Sequence, residues 1–285
     1  MTHIDLENRL RKVVDLPTLS IVANNIVQIM QNTKSSAVQV GRAISQDPAL
    51  VSRILRIANS TFYGFPRAIT TIPHAVVILG FTNIRNLVLT SSILAIFPSK
   101  EGDGYFDREG FWKHSLACGV TSKLIAKRLG IKNLEEVFIW GLLHDLGKLV
   151  LDAYFNEDFT RVVDLVNENE MLIIDAEQQL LGFDHAAVGG IVADKWSLPP
   201  ALIKVIRFHH NPPQANESMR IVSIVHLADV LCRAIGMGNG GDRKVPCVNE
   251  DSWKLLGINR QMIRGLFSEM EQEIANAKPF LAFVK

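Results

Sequence analysis

Cysteine is scarce in this chain. Its three cysteines, Cys118, Cys232 and Cys247, are scattered, odd in number and never spaced as CxxC. That excludes a disulfide framework, and reduced thiols in a cytoplasm are expected. An excess of one charge is also missing: 30 Lys and Arg face 29 Asp and Glu, for a formal net charge of +1. With no basic run beyond a few residues, there is no electrostatic case for binding nucleic acid or an anionic membrane surface. Long apolar stretches are absent too. Hydrophobic residues make up 48% of the chain, but charge interrupts every run well before the ~18 residues of a membrane span. The first residues, "MTHIDLENRLRKVV", mix acids with apolar side chains and contain no h-region, so no signal peptide is expected.

Strand signals are thin. "MLII" (171–174) reads as a short strand or the end of a helix. Helical periodicity dominates the remainder, and helix starts can be placed one after another. Ser36 with Gln39, Asn133 with Glu136, and Asp175 with Gln178 have capping-box spacing. Asp47 precedes a proline at a first helical position. Thr82, Asp107 and Asp184 stand as caps before further periodic stretches, and Gly80, Gly130 and Gly182 stop three of them. The chain is therefore expected to be all-α, a multi-helix N-terminal subdomain followed by a helical bundle. "PSKEGDGY" (98–105) is the strongest composition shift and sets a boundary between residues 1–105 and 106–285. "GMGNGGDRKVP" (236–246) reads as a polar loop, either plain surface or a lid over a site.

Candidate chemistry gathers after the boundary. "GLLHDLGKLVL" (141–151) carries His144, Asp145 and Lys148 in an otherwise apolar helical run. His114, His185, His209, His210 and His226 fall in or at the ends of other predicted helices, and Asp229 lies in the apolar "IVSIVHLADVLCRAIG". Taken singly, each has an ordinary explanation. A buried histidine usually satisfies itself by hydrogen bonds, Asp229 can pair with Arg233 one turn on, and Lys148 can be a solvated helix-end lysine. Taken together, they point elsewhere. Burying two carboxylates is costly, and a divalent ion with imidazole co-ligands resolves Asp145 and Asp229 at once.

His114, then His144-Asp145 inside "HDLGK", then Asp229 resembles the H…HD…D signature of the HD-domain phosphohydrolase superfamily over roughly residues 106–235. His185, His209 and His210 look like the extra histidines that give the HD-GYP branch a second metal. The likeness to that branch is partial. "NPPQANESM" follows His210 with no Gly-Tyr-Pro, and Gly110 stands where some relatives carry a glutamate ligand. "LPTLSIVANNIVQIM", "ISQDPALVSRILRIANSTFYGFPRAITTIPHAVVILGFTNIRNLVL" and "LGFDHAAVGGIVADKWSLPPALIKVIRFHHNP" are similar to the HDOD family, the HD-related output domain of bacterial signalling proteins.

That resemblance implies a regulatory protein acting through a signalling protein partner. His114, His144, Asp145, His185, His209, His210 and Asp229 would be the metal ligands for one or two divalent ions, iron or manganese before zinc or nickel. The alternative it implies is a metal-dependent phosphohydrolase or phosphodiesterase on a nucleotide or cyclic dinucleotide. Asp145 and Lys148 would then work at the reacting phosphate, and such sites activate water for in-line attack on phosphorus. A phosphate-containing ligand fits both readings. His226 is a reserve ligand or a packing residue. In the N-terminal half, "STFYGFPRA" reads as an aromatic packing wedge.

Overall fold

The computed structural model describes residues 25, 26, 29, 36–60, 62–97 and 106–283. Among them every regular element is a helix and none is a strand, so the chain is all-α as its periodicity predicts. Of the described residues, 106–271 form one compact unit, and 25–97 with 272–283 form another. The predicted boundary at 98–105 lies outside the described residues.

The smaller unit is built on α1 (Ala37–Ile44), α2 (Pro48–Ala58), α3 (Ile72–Leu79) and α4 (Phe81–Ile96). Ser36 and Gln39 form the expected capping box on α1, and Asp47 caps α2 through the Leu50 amide at 3.0 Å. Thr82 does not cap α4. Gly80 takes φ +83 and turns the chain so sharply that α4 starts at Phe81 with no side-chain cap. Asn59 clamps the connection after α2: its side chain bonds both the amide and the carbonyl of Ile69 at 2.7 Å. Phe62 packs edge-on against Tyr63 and Phe280, with centroids at 5.2 and 5.1 Å. Ile54, Ile57, Ala75, Ile84 and Val88 are wholly buried and make the core.

The larger unit holds α5 (Arg108–Arg128), α6 (Leu134–Leu143), α7 (Leu146–Tyr154), α8 (Asn156–Asn169), α9 (Ile173–Leu181), α10 (His185–Lys195) and α11 (Pro200–Phe208). A 3₁₀ turn (Pro212–Ser218), α12 (Met219–Ala234), α13 (Glu250–Leu256) and the start of α14 (Arg260–Ala277) complete it. Helix α5, capped by Asp107 through the Gly110 amide, is buried on nearly every side from Gly110 to Ala126 and packs on α6 and α12. Asp184 caps α10 as expected. Two other predicted caps fail. Asn133 bonds the Glu136 side chain and not a backbone amide. Helix α9 starts at Ile173, two residues before Asp175, so "MLII" is a lead-in followed by the first turn of a helix.

Two glycine pairs set the distances between helices. A Cβ on Gly141 would lie 2.6 Å from Ser122 Oγ and 2.9 Å from Gly119 Cα. The backbones of α5 and α6 can approach that closely only because both positions lack a side chain. A Cβ on Gly147 would lie 1.8 Å from the His185 carbonyl oxygen and 2.8 Å from the Gly189 amide. The glycine of "HDLGK" thus lets α7 lie directly against the first turn of α10.

Candidate metal centre

The apolar run 141–151 is not one helix. It breaks at His144-Asp145, the two residues between α6 and α7. On a continuous helix adjacent side chains diverge by ~100°. At this break they converge, with His144 Nε2 standing 3.3 Å from Asp145 Oδ2. Histidines from α5, α10 and the end of α11, and Asp229 from α12, meet the same point.

Their donor atoms fall into two groups around Asp145. On one side, His114 Nε2 is 3.1 Å from Asp229 Oδ1 and 4.0 Å from Asp145 Oδ2. On the other, Asp145 Oδ1 is 3.2 Å from His185 Nε2 and 3.3 Å from His209 Nε2, and His185 Nε2 is 2.9 Å from His210 Nε2. All seven residues that the sequence singled out as ligands are brought together. Six are buried, and His210 is partly so.

The second nitrogen of several imidazoles is already committed. His144 Nδ1 donates to the Gly141 carbonyl at 2.7 Å, and His209 Nδ1 donates to the Ile206 carbonyl at 3.0 Å. His185 Nδ1 donates to Glu177 Oε2 at 2.6 Å. Each ring therefore turns an Nε2 lone pair inward, the arrangement expected of metal-bound histidines held by outer partners. His226 differs. Its Nδ1 donates to the His209 carbonyl at 2.8 Å and its Nε2 accepts from the Asn249 amide at 3.0 Å. It has no lone pair left for an ion and instead holds the backbone of His209.

Burial shapes the protonation of these groups. It would raise the Asp145 carboxyl, but His144 and Lys148 outweigh it and hold Asp145 well below the usual carboxylate range. Burial works the same way on Asp229, and His114 and Arg233 hold it low. Burial pushes His209 down to about 4 and His210 well below its ordinary value, keeping both neutral. Burial opposes a proton on His185 as well, yet the Glu177 carboxylate prevails and raises it to about 9, so without an ion this ring is protonated near neutral pH and would give up its Nε2 proton to bind one.

Whether these residues fit a metal can be tested on the atoms themselves. His144 Nε2, Asp145 Oδ1, His209 Nε2 and Asp229 Oδ1 are buried without a hydrogen-bond partner. Leaving such a group unsatisfied costs on the order of 1–3 kcal/mol, more if charged. Ligands about 2.0–2.1 Å from one ion at angles of 90–109° stand about 2.8–3.4 Å apart. The donor separations of 2.9, 3.1, 3.2 and 3.3 Å all lie in that interval. The donor set fits a divalent transition metal.

Lys148 is wholly buried, which rules out a solvated helix-end lysine. Its Nζ donates to Asp145 Oδ2 at 2.6 Å and to the Gly240 carbonyl at 2.7 Å. Gly240 belongs to the 236–246 loop, which is therefore a cover on the centre and not a plain surface loop. The loop is tied down at several points. The Asn239 amide donates to Gly110, Asp242 accepts from the Ile173 amide, and Arg233 bonds Asp242 and the Lys244 carbonyl. Arg233 is thus bonded to the loop, and it acts on Asp229 only through space.

Two residues escaped the sequence. Glu177 lies four residues from both Ile173 and Leu181, an acid on the buried stripe of α9. That misplaced charge was the available signal. Cys118 lies four residues after His114, and its donor atom joins His114, His144 and Asp229 in one buried group.

Comparison with known proteins adds the lineage. The HDOD domain profile matches residues 16–212. The crystal structure of an HDOD domain protein from Geobacter sulfurreducens is 29% identical, covers 95% of both chains and superposes with a TM-score of 0.80. A Shewanella amazonensis SB2B structure, provisionally described as a phosphohydrolase, is 27% identical over 95% of this chain and 97% of its own, with a TM-score of 0.73. An uncharacterised protein from Treponema pallidum (strain Nichols) is 28% identical over 226 residues, 78% of this chain and 43% of that protein. The chain therefore spans less than half the length of that relative.

Proposed function

The chain belongs to the HDOD domain family, and on that premise we propose a bacterial signal-transduction protein whose HD-like half holds a divalent-metal centre. Its output is contact with a partner protein and not turnover. His114, His144 and Asp229 would hold one ion and His185, His209 and His210 another, with Asp145 between them. Iron or manganese is favoured, with zinc or nickel as alternatives. Bound ions of this kind supply Lewis acidity to a phosphoryl oxygen and lower the pKa of water.

The observation that carries the regulatory reading is the position of Lys148. Its ammonium is bonded to Asp145 on one side and to the Gly240 carbonyl of the covering loop on the other. Nζ has a third N–H beyond these two bonds, so a phosphate oxygen that reached this cation would bind beside the carbonyl of the covering loop, and ligand entry and loop position would be linked. Glu177 orients His185, His226 holds His209, and the N-terminal 1–105 half is left to present a partner surface.

A metal-dependent phosphohydrolase is the second reading. Lys148 beside Asp145 favours it, as does the provisional description of the 27%-identical Shewanella protein. Elemental analysis of tag-free protein, followed by a panel of phosphomonoesters, phosphodiesters and cyclic dinucleotides, separates the two. The regulatory reading expects bound metal and no turnover. Turnover that disappears in Asp145→Ala would replace it with the enzyme, and protein free of metal would remove the centre from both.

A further inference from the structure

Cys118 lies one turn beyond His114 on α5, so both side chains leave the same face of the helix. Its Sγ lies beside the His114 ring, 3.4 Å from Nε2 and 3.9 Å from Nδ1, so the ring turns slightly when both atoms bind one ion. The donor atoms of His114, Cys118, His144 and Asp229 lie within 4.8 Å of one another, all in buried residues. An ion about 2.3 Å from sulfur and about 2.1 Å from nitrogen, at 90–110°, places those two atoms about 3.1–3.6 Å apart. The observed separation falls inside that range. Two other members of the group, His144 Nε2 and Asp229 Oδ1, point buried and unpartnered atoms at the same space. The competing role for Cys118 is a thiol that burial keeps protonated and that hydrogen-bonds Cys232 or the His114 ring. Cys232 in turn has Thr121 Oγ1 at 3.3 Å and no place among the four converging donors.

We propose that Cys118 is a thiolate ligand, completing a two-nitrogen, one-oxygen, one-sulfur donor set with His114, His144 and Asp229. The proposal rests on the metal-centre reading above and goes beyond it in dividing the centre into unlike halves. When the ion binds, the S–H bond breaks, the sulfur electron pair goes to the ion and the proton leaves to solvent. The sulfur makes this half soft, suited to zinc, iron(II) or cobalt. The half formed by Asp145, His185, His209 and His210 has only nitrogen and oxygen donors and accepts manganese more readily. The two positions would therefore discriminate between metals.

The test strips the full chain of metal, adds cobalt(II), and reads bound cobalt by elemental analysis together with the near-ultraviolet spectrum. Expected is bound cobalt with a thiolate-to-cobalt charge-transfer band. The band is lost in Cys118→Ser and kept in a Cys232→Ser, Cys247→Ser double variant. Zinc binding in Cys118→Ser weakens by roughly tenfold or more. Because the chain has three cysteines, the double variant assigns the sulfur even if Cys118→Ser fails to fold. Bound cobalt without the band, a band that survives Cys118→Ser, or a band lost from the double variant overturns the ligand alone. Absence of bound cobalt overturns it together with the metal centre.

Discussion

The two units bury very different polar groups, although both are stacks of helices. Among the described residues, the smaller unit buries Ser60, Asn86, Thr90 and Ser91, all neutral. The larger unit buries Ser115, Thr121, Ser122, Ser223 and Ser252, and in addition His114, His144, Asp145, Lys148, Asp152, Glu177, His185, His209, His226 and Asp229. Unpartnered atoms in the smaller unit include Asn86 Nδ2, Thr90 Oγ1 and Ser91 Oγ; those of the larger unit include neutral ones such as Ser115 Oγ and Ser122 Oγ, but also the imidazole and carboxylate atoms around Asp145. Packing helices does not require buried ionisable groups, as the smaller unit demonstrates. Their concentration in the larger one therefore calls for a separate cause, and around Asp145 a bound cation would supply it.

The contrast is sharpest at Asp145. Asp145→Ala leaves the Lys148 ammonium buried beside imidazoles without its bonded carboxylate, so the larger unit should lose about 3–5 kcal/mol and all bound metal. Tryptophan fluorescence reads this unit selectively, because Trp112, Trp140, Trp196 and Trp253 all belong to it. An unchanged denaturation midpoint would mean that the centre contributes nothing to folding. Chelation of the intact protein comes next. With metal present at 100-fold over its dissociation constant, removal should cost about 2.7 kcal/mol. The loss should appear in the same fluorescence transition, and equal losses in both units by hydrogen exchange would erase the contrast.

A smaller effect is expected at Glu177. Glu177→Gln keeps a hydrogen-bonding group beside His185 but removes the charge that makes the ring basic. Metal affinity should fall by about 10–100-fold, and only on the side of Asp145 that holds His185. Metal titration followed by elemental analysis would show whether one site weakens or neither. The smallest effect belongs to the smaller unit. Thr90→Val replaces a buried hydroxyl without a partner and should shift stability by less than about 1 kcal/mol, in either direction. A loss as large as that of Asp145→Ala would mean that buried polar groups matter equally in both units.

How much of this was legible depends on range. Caps built from neighbouring residues, such as Ser36 with Gln39 and Asp184 with the Ala187 amide, follow from spacing alone. Thr82, Asn133 and Asp175 looked equally good as caps and failed, because tertiary packing moved the helix starts or took their side chains elsewhere. The metal residues were legible as a set because histidine and aspartate are rare in apolar helices. Lys148 was ambiguous, since a lysine near a helix end is ordinarily solvated. Only its bond to Gly240, 92 residues away, removed the ambiguity.

The residue pattern by itself determined the all-α class, the positions of most helices and the identity of the groups that need a partner. Those are consequences of local periodicity and of the cost of burying charge. Tertiary structure alone decided that the helix breaks at His144-Asp145, that Gly119 meets Gly141 and Gly147 meets His185, and that Glu177, Cys118 and the 236–246 loop lie beside the centre. Each of these depends on distances between segments far apart in the chain, and a distance of that kind exists only once the helices have packed.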